Sequence, residues 1–227
     1  MEESEEQAAL GGWRAGLKVG AGLGASSFAL AISFGALARA AGWSPFQAGV
    51  FSMTAFSGSA QFAVLTTLAG GGGVLAAVLA ASLMNLRYLP MGMAVAASLR
   101  GGVIRRGVEG QAVVDGSWVS SYLGNARFDR GKLLGATAVQ WPAWVGGTLI
   151  GATLNPSTEF IDRWGLDVIF PVFFLLLLVD AIRENRGGTL LVAALATVLG
   201  AGIVLVASPG LALVASAAAS LIVLVRR

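Results

Sequence analysis

Apolar positions in this chain gather into seven long blocks, at residues 15–38, 45–69, 74–99, 133–154, 166–182, 189–207 and 211–225, parted by short turns and one basic stretch. About 20 apolar residues at 1.5 Å rise each cross the hydrocarbon core of a bilayer. The pattern therefore predicts an all-α, polytopic transmembrane helical bundle of about seven segments. Residues 1–12 read as a mobile acidic tail and residues 13–227 as a single transmembrane domain. The tail has neither a basic n-region nor a small-residue cleavage pattern, so it does not read as a secretory signal.

Within the blocks, small and polar residues fall at particular places. Gly16, Gly20 and Gly24 form a small-residue ridge that lets another helix approach closely. In block 45–69 the run Ser57-Gly58-Ser59-Ala60-Gln61 interrupts the apolar pattern between Phe56 and Phe62. The segment is then a discontinuous helix, a re-entrant hairpin, or a continuous helix whose small residues pack. Four glycines, Gly70 to Gly73, make the next turn, and Ser208-Pro209-Gly210 makes the last one. In block 74–99, Pro90 frees the carbonyl of Leu86 and predicts a kink beside Arg87.

Charge adds to this picture. Arg87 is the only charge between Arg39 and Arg100, and a charge at membrane depth normally faces a bundle interior or wet cavity and marks a pathway. The chain is 56% apolar and 12% charged, with mean hydropathy +0.78, too little polar surface for a soluble domain of 227 residues. The net charge of +3 arises from basic residues at block ends, which argues for membrane orientation rather than nucleic-acid binding. Six of the fifteen basic residues lie in 100–132, which is expected to be a cytoplasmic loop, with residues 113–123 as a short interfacial helix. Charge counting mildly favours the re-entrant arrangement of 45–69, and either arrangement puts the carboxyl end in the cytoplasm. Cysteine and histidine are absent, so disulfides, thiolate or imidazole metal sites and the usual hydrolytic triads are excluded. With no Walker loop either, neither an enzyme, a cofactor nor direct ATP drive is expected.

Several ordered motifs then carry a resemblance. Phe56-Ser57-Gly58-Ser59-Ala60-Gln61-Phe62, Asn85-Leu86-Arg87-Tyr88, Asp115-Gly116-Ser117-Trp118, and Gly165-Leu166-Asp167 ahead of Phe170 and Phe173 resemble those of AzlC-type proteins. These are the large subunits of branched-chain amino acid exporters, and the resemblance runs over residues 16–224. It implies a cytoplasmic (inner) membrane protein exporting valine, leucine, isoleucine or methionine, usually with a small AzlD-type membrane subunit. The chain departs from the family in lacking prolines in its first span and in having Gly116 where an acidic residue usually stands.

A zwitterionic amino acid needs a carboxylate anchor, an ammonium anchor and an apolar pocket. Arg87 offers a guanidinium for the carboxylate, and backbone N–H groups at Ser57, Gly58 and Ser59 are the rival site. Gln61 and Asn85 offer amide oxygens to the ammonium group, and Phe56, Phe62, Met53 and Met84 an apolar wall. Asp167 and Asp115 are the candidate coupling acids, and Asp167 doubles as a partner for Arg87 or a helix cap. The alternatives are a non-transporting scaffold subunit, in which these residues only pack and pair, and a carrier of another small zwitterion or organic anion.

Overall fold

The structure is a computed structural model that describes residues 2–125, 127–165, 168, 172, 175, 178, 179, 182, 183 and 186–205. Helix α1, Glu2–Ala40, has no proline to break it and ends with Arg39 in its last turn, where a cation suits the helix dipole. The acidic stretch expected to be a tail is helical and forms the first turns of α1. Among the described residues, Gly12–Ala40 is the one helix long and apolar enough to cross a membrane, and a bent pair further on adds a second. That is fewer than the seven segments expected. Much of block 166–182 and all of block 211–225 lie outside the described residues, as do Ser208, Pro209 and Gly210.

Helix α1 packs along α8, Arg130–Leu154, at backbone contact. A methyl added at Gly16 would stand 2.5 Å from the Lys132 carbonyl oxygen, one at Gly20 2.7 Å from that of Ala136, and one at Gly147 2.5 Å from that of Phe28. Glycine ridges on both helices thus permit the approach, as in close-packed membrane helix pairs. Gly16 lies against Lys132 and Ala136, whereas Gly35 lies against Thr148 and Ala152, so α1 and α8 run parallel.

Helix α2, Pro45–Thr54, starts on a capping box between Ser44 and Gln47 and runs the opposite way to α8. Gly49 faces Leu149, Ser52 Oγ lies 2.8 Å from Thr148 Oγ1, and Trp141 Nε1 donates to the Met53 carbonyl. The chain unwinds at Ala55, Phe56 and Ser57 and re-enters a helix as α3, Gly58–Ala69. Gln61 Nε2 then donates back to Ser52 Oγ (3.3 Å) and to the Ala55 carbonyl (2.9 Å). In a straight helix positions 52 and 61 would be about 13.5 Å apart, so the chain turns sharply at the break. Phe34 accordingly touches both arms, through Phe51 and Phe62. Block 45–69 is therefore neither a continuous helix nor a simple kink.

Helix α4, Val74–Asn85, returns antiparallel to α3, bringing Asn85 to Ser57 and Arg87 to Ser59. It continues into α5, Tyr88–Val95, through a bend of about 40°. Because Pro90 has no N–H to give, the Leu86 carbonyl takes the Leu89 N–H instead, a tighter three-residue turn. The bend beside Arg87 is the one the proline predicts. Beyond it, Val95 and Leu99 close a core with Ala112, Val113, Phe128 and Leu133. A second core, of Phe34, Phe62, Leu65 and Trp144, lies toward the other ends of α1 and α8.

The basic stretch is more structured than a loop. It holds α6, Val103–Gly110, then α7, Asp115–Ser121, then an antiparallel ribbon of β1, Tyr122–Gly124, and β2, Arg127–Phe128. The interfacial helix expected over 113–123 is shorter, starting at Asp115 and giving way to strand at Tyr122, which pairs with Phe128 while Gly124 pairs with Arg127; Gly124 and Asn125, both at positive φ, turn the ribbon. Nor does α7 stand apart: Gly116 lies against Leu23 of α1 and Gln140 of α8. Glu109 ties the stretch to the foot of α8, accepting from Arg105 Nε (3.0 Å), Arg130 Nε (2.8 Å) and Arg130 Nη2. The hydrogen bond from Arg130 leads in holding its carboxyl down at about 2. Helices α9, Thr158–Trp164, and α10, Arg186–Val204, complete the described elements.

Candidate functional site

Three chain breaks meet at one level of the molecule. Gln140 is ten residues beyond Arg130, so it stands about 15 Å along an α8 about 37 Å long. The α2–α3 break, the α4–α5 bend and the start of α7 all converge beside it, around a cavity of about 220 Å³ between the two cores. Each break frees backbone and brings a polar side chain inward, which a continuous apolar helix does not do.

Arg87 organises this level. Its Nη2 donates to Asp115 Oδ2 (2.8 Å), Ser59 Oγ (2.9 Å) and Tyr88 Oη (3.2 Å), and its guanidinium carbon lies 4.9 Å from the Tyr88 ring centroid. Its Nε is buried and has no hydrogen-bond partner among the described residues. The side chain is 32% exposed and that of Asp115 56%, so the pair is open to the cavity rather than sealed. The acid that meets Arg87 is thus Asp115 from the basic stretch. Asp167 lies outside the described residues.

The other expected site residues divide. Phe56, Ser57, Gly58, Ser59 and Phe62 line the cavity with Arg87 and Asp115. Ser57 caps α3 only through its backbone position, and its hydroxyl donates instead to Asn85 Oδ1 (2.7 Å). That bond occupies the amide oxygen offered to an ammonium group, and Asn85 is not on the cavity wall. Gln61 is fully buried and also off the wall, its Nε2 spent on Ser52 and Ala55 and its Oε1 on Trp144 Nε1 (2.8 Å). Its amide group thereby ties Ser52, Ala55 and Trp144 together across the α2–α3 break. Met53 and Met84 are not on the wall either, Met53 being mostly exposed on the outside.

Sequence reasoning missed the far wall. Leu23, Ser26, Ser27 and Leu30 of α1, with Gln140 and Trp144 of α8, face Arg87 across the cavity. Each sits inside a long helix with no break or isolated charge to flag it. The one legible signal was Gln140, the sole carboxamide in the apolar block 133–154. Among the described residues no group of three or more carboxylates gathers as a metal site would require.

Comparison with known proteins follows the same residues. A family model described as AzlC protein matches residues 22–156, more than half of the chain and all three breaks. The inner membrane protein YgaZ of Escherichia coli strain K12 is 26% identical over 163 residues, 64% of this chain and 65% of that protein. An uncharacterized membrane protein of Archaeoglobus fulgidus is 31% identical over 134 residues, 59% of this chain and 58% of that protein. The chain thus spans somewhat under two-thirds of the length of these curated relatives. No solved structure matches it. With the family model covering the elements that build the cavity, the chain belongs to the AzlC family.

Proposed function

We propose that the protein is a secondary transporter subunit of the cytoplasmic membrane that exports branched-chain amino acids or methionine through this cavity. The observation that carries the reading is Arg87, paired with Asp115 on the cavity wall while its buried Nε stays unpartnered. A substrate carboxylate can take the guanidinium in place of Asp115, and the released Asp115 carboxylate then faces the substrate's ammonium group. A zwitterion inserted in this way replaces one ion pair by two and leaves the net charge unchanged, whereas a simple anion strands Asp115. Phe56, Phe62 and Leu30 offer the side chain an apolar wall. At about 220 Å³ the cavity is below the roughly 300–1,000 Å³ of drug-sized sites, which suits a small metabolite.

The topology supports the same reading. Parallel α1 and α8 need an odd number of crossings between them, and a folded-back α2–α3 with a through-going α4–α5 supplies one. On this reading α2–α3 is a re-entrant hairpin, residues 13–227 form one transmembrane domain of six crossings plus the hairpin, and both chain ends face the cytoplasm with the basic stretch. The cavity then lies near mid-membrane, at broken helices, where alternating-access carriers place their substrates. Exposed apolar side chains such as Phe46, Leu75 and Met93 offer surface to lipid and to a small AzlD-type subunit.

Efflux of labelled valine and methionine from loaded cells, with and without the small subunit, tests the function. Export is expected to fall at least tenfold in Arg87→Ala at equal protein level and to recover partly in Arg87→Lys. Unchanged accumulation in the presence and absence of the protein defeats the exporter reading, and full export by Arg87→Ala reduces Arg87 to a scaffold residue.

A further inference from the structure

Gln140 has no role in the account so far, yet it is the most unusual polar residue in the cavity wall. It is 6% exposed, and its Oε1 is buried with no hydrogen-bond partner among the described residues. Native proteins seldom leave such an atom unpaired, and where they do a functional partner is a standard reason. The amide nitrogen lies where a methyl on Gly116 would come within 3.0 Å, so the head of Gln140 sits beside the Asp115–Gly116 start of α7. Turning the amide about its last bond takes no partner from the oxygen.

The unpartnered oxygen is an acceptor, so the group that completes it is a donor. Arg87 supplies the donors that a carboxylate wants, and Asn85 and Gln61, the other amide oxygens near this level, are already bonded. An ammonium group brings three donors and no acceptor. We propose that Gln140 is a specificity residue of this cavity, accepting from the substrate's ammonium group and so selecting α-amino acids over carboxylates that lack the amine. The inference rests on the reading of the cavity as a site for an apolar carboxylate-bearing compound. Because α8 is locked to α1 by glycine contacts, Gln140 holds the amine against the rigid wall while Arg87 and Asp115 stand on the broken one.

Binding to the purified full chain in detergent, measured by calorimetry, tests this with L-leucine, 4-methylpentanoate (leucine without its amine) and 3-methylbutylamine (leucine without its carboxyl). Leucine is expected to bind tightest. A hydrogen bond to a charged group corresponds to a factor of about ten or more. Gln140→Leu is therefore expected to weaken leucine and 3-methylbutylamine about tenfold and to leave 4-methylpentanoate within twofold. Gln140→Glu, of the same size, is expected to keep leucine and to weaken 4-methylpentanoate, which guards against a variant that merely fails to fold. Equal weakening of leucine and 4-methylpentanoate by Gln140→Leu, or no change in either, overturns the role of Gln140 alone. Binding of 4-methylpentanoate that survives Arg87→Gln overturns the carboxylate site beneath it, whatever Gln140 does.

Discussion

Replacing Gln61 by Leu removes three buried hydrogen bonds at the point where the chain reverses. One protein group loses its partner as a result, Trp144 Nε1–H, while Ser52 keeps Thr148 and the Ala55 carbonyl keeps the Ser57 N–H. A buried polar group left unpaired costs about 1–3 kcal/mol, so Gln61→Leu should destabilise by about 1–3 kcal/mol. Trp144→Phe strands only Gln61 Oε1 and should cost about 1–3 kcal/mol beyond its packing loss. In the double variant neither group is left stranded, so the two changes together should cost less than their sum by at least about 2 kcal/mol. Denaturant titration of the four proteins in one detergent, followed by far-ultraviolet circular dichroism, measures the cycle. Additive losses, or a Gln61→Leu protein as stable as the parent but unable to bind leucine, would refute the reasoning and return Gln61 to the substrate.

Three further outcomes follow from the geometry. The chain has no cysteine, so single cysteines at Ala41, Gly73 and Gly102 can be labelled from one side of sealed vesicles with an impermeant maleimide. The folded-back α2–α3 expects Ala41→Cys and Gly73→Cys to share a side opposite Gly102→Cys, whereas a through-going segment separates the first two. Gly151→Ala drives a methyl into the Ile32 carbonyl and should lower stability by about 1–3 kcal/mol or more, while Gly22→Ala meets nothing and should be neutral or slightly stabilising, as thermal melts of the purified variants will check. Glu109, held at about 2 against an ordinary 4.5, contributes stability that is complete above pH 4.5 and is lost as pH falls toward 2. Melting temperature measured across that window should fall more steeply in the parent than in Glu109→Gln, and parallel curves would remove the ion cluster as the cause.

Much of this protein was legible as a linear string because the bilayer penalises polar groups so heavily. Long apolar blocks, the lone Arg87, the Ser57 to Gln61 interruption and Pro90 each stand out against a background where charge and backbone breaks are expensive. Those signals located the breaks and half of the cavity wall, and the motifs around them carried the family. What they left open was which groups meet. The sequence allowed block 45–69 three shapes, and the unwound residues 55–57 with the 52-to-61 hydrogen bond exclude the continuous helix. It allotted Gln61 and Asn85 to a ligand, but packing gave both of them protein partners first. It placed Asp115 in a short interfacial helix of the basic stretch, yet α7 carries that acid to Arg87. Local pattern records what a residue would cost in oil; which partner relieves that cost depends on neighbours 28 or more positions away, and only the folded chain brings them within reach.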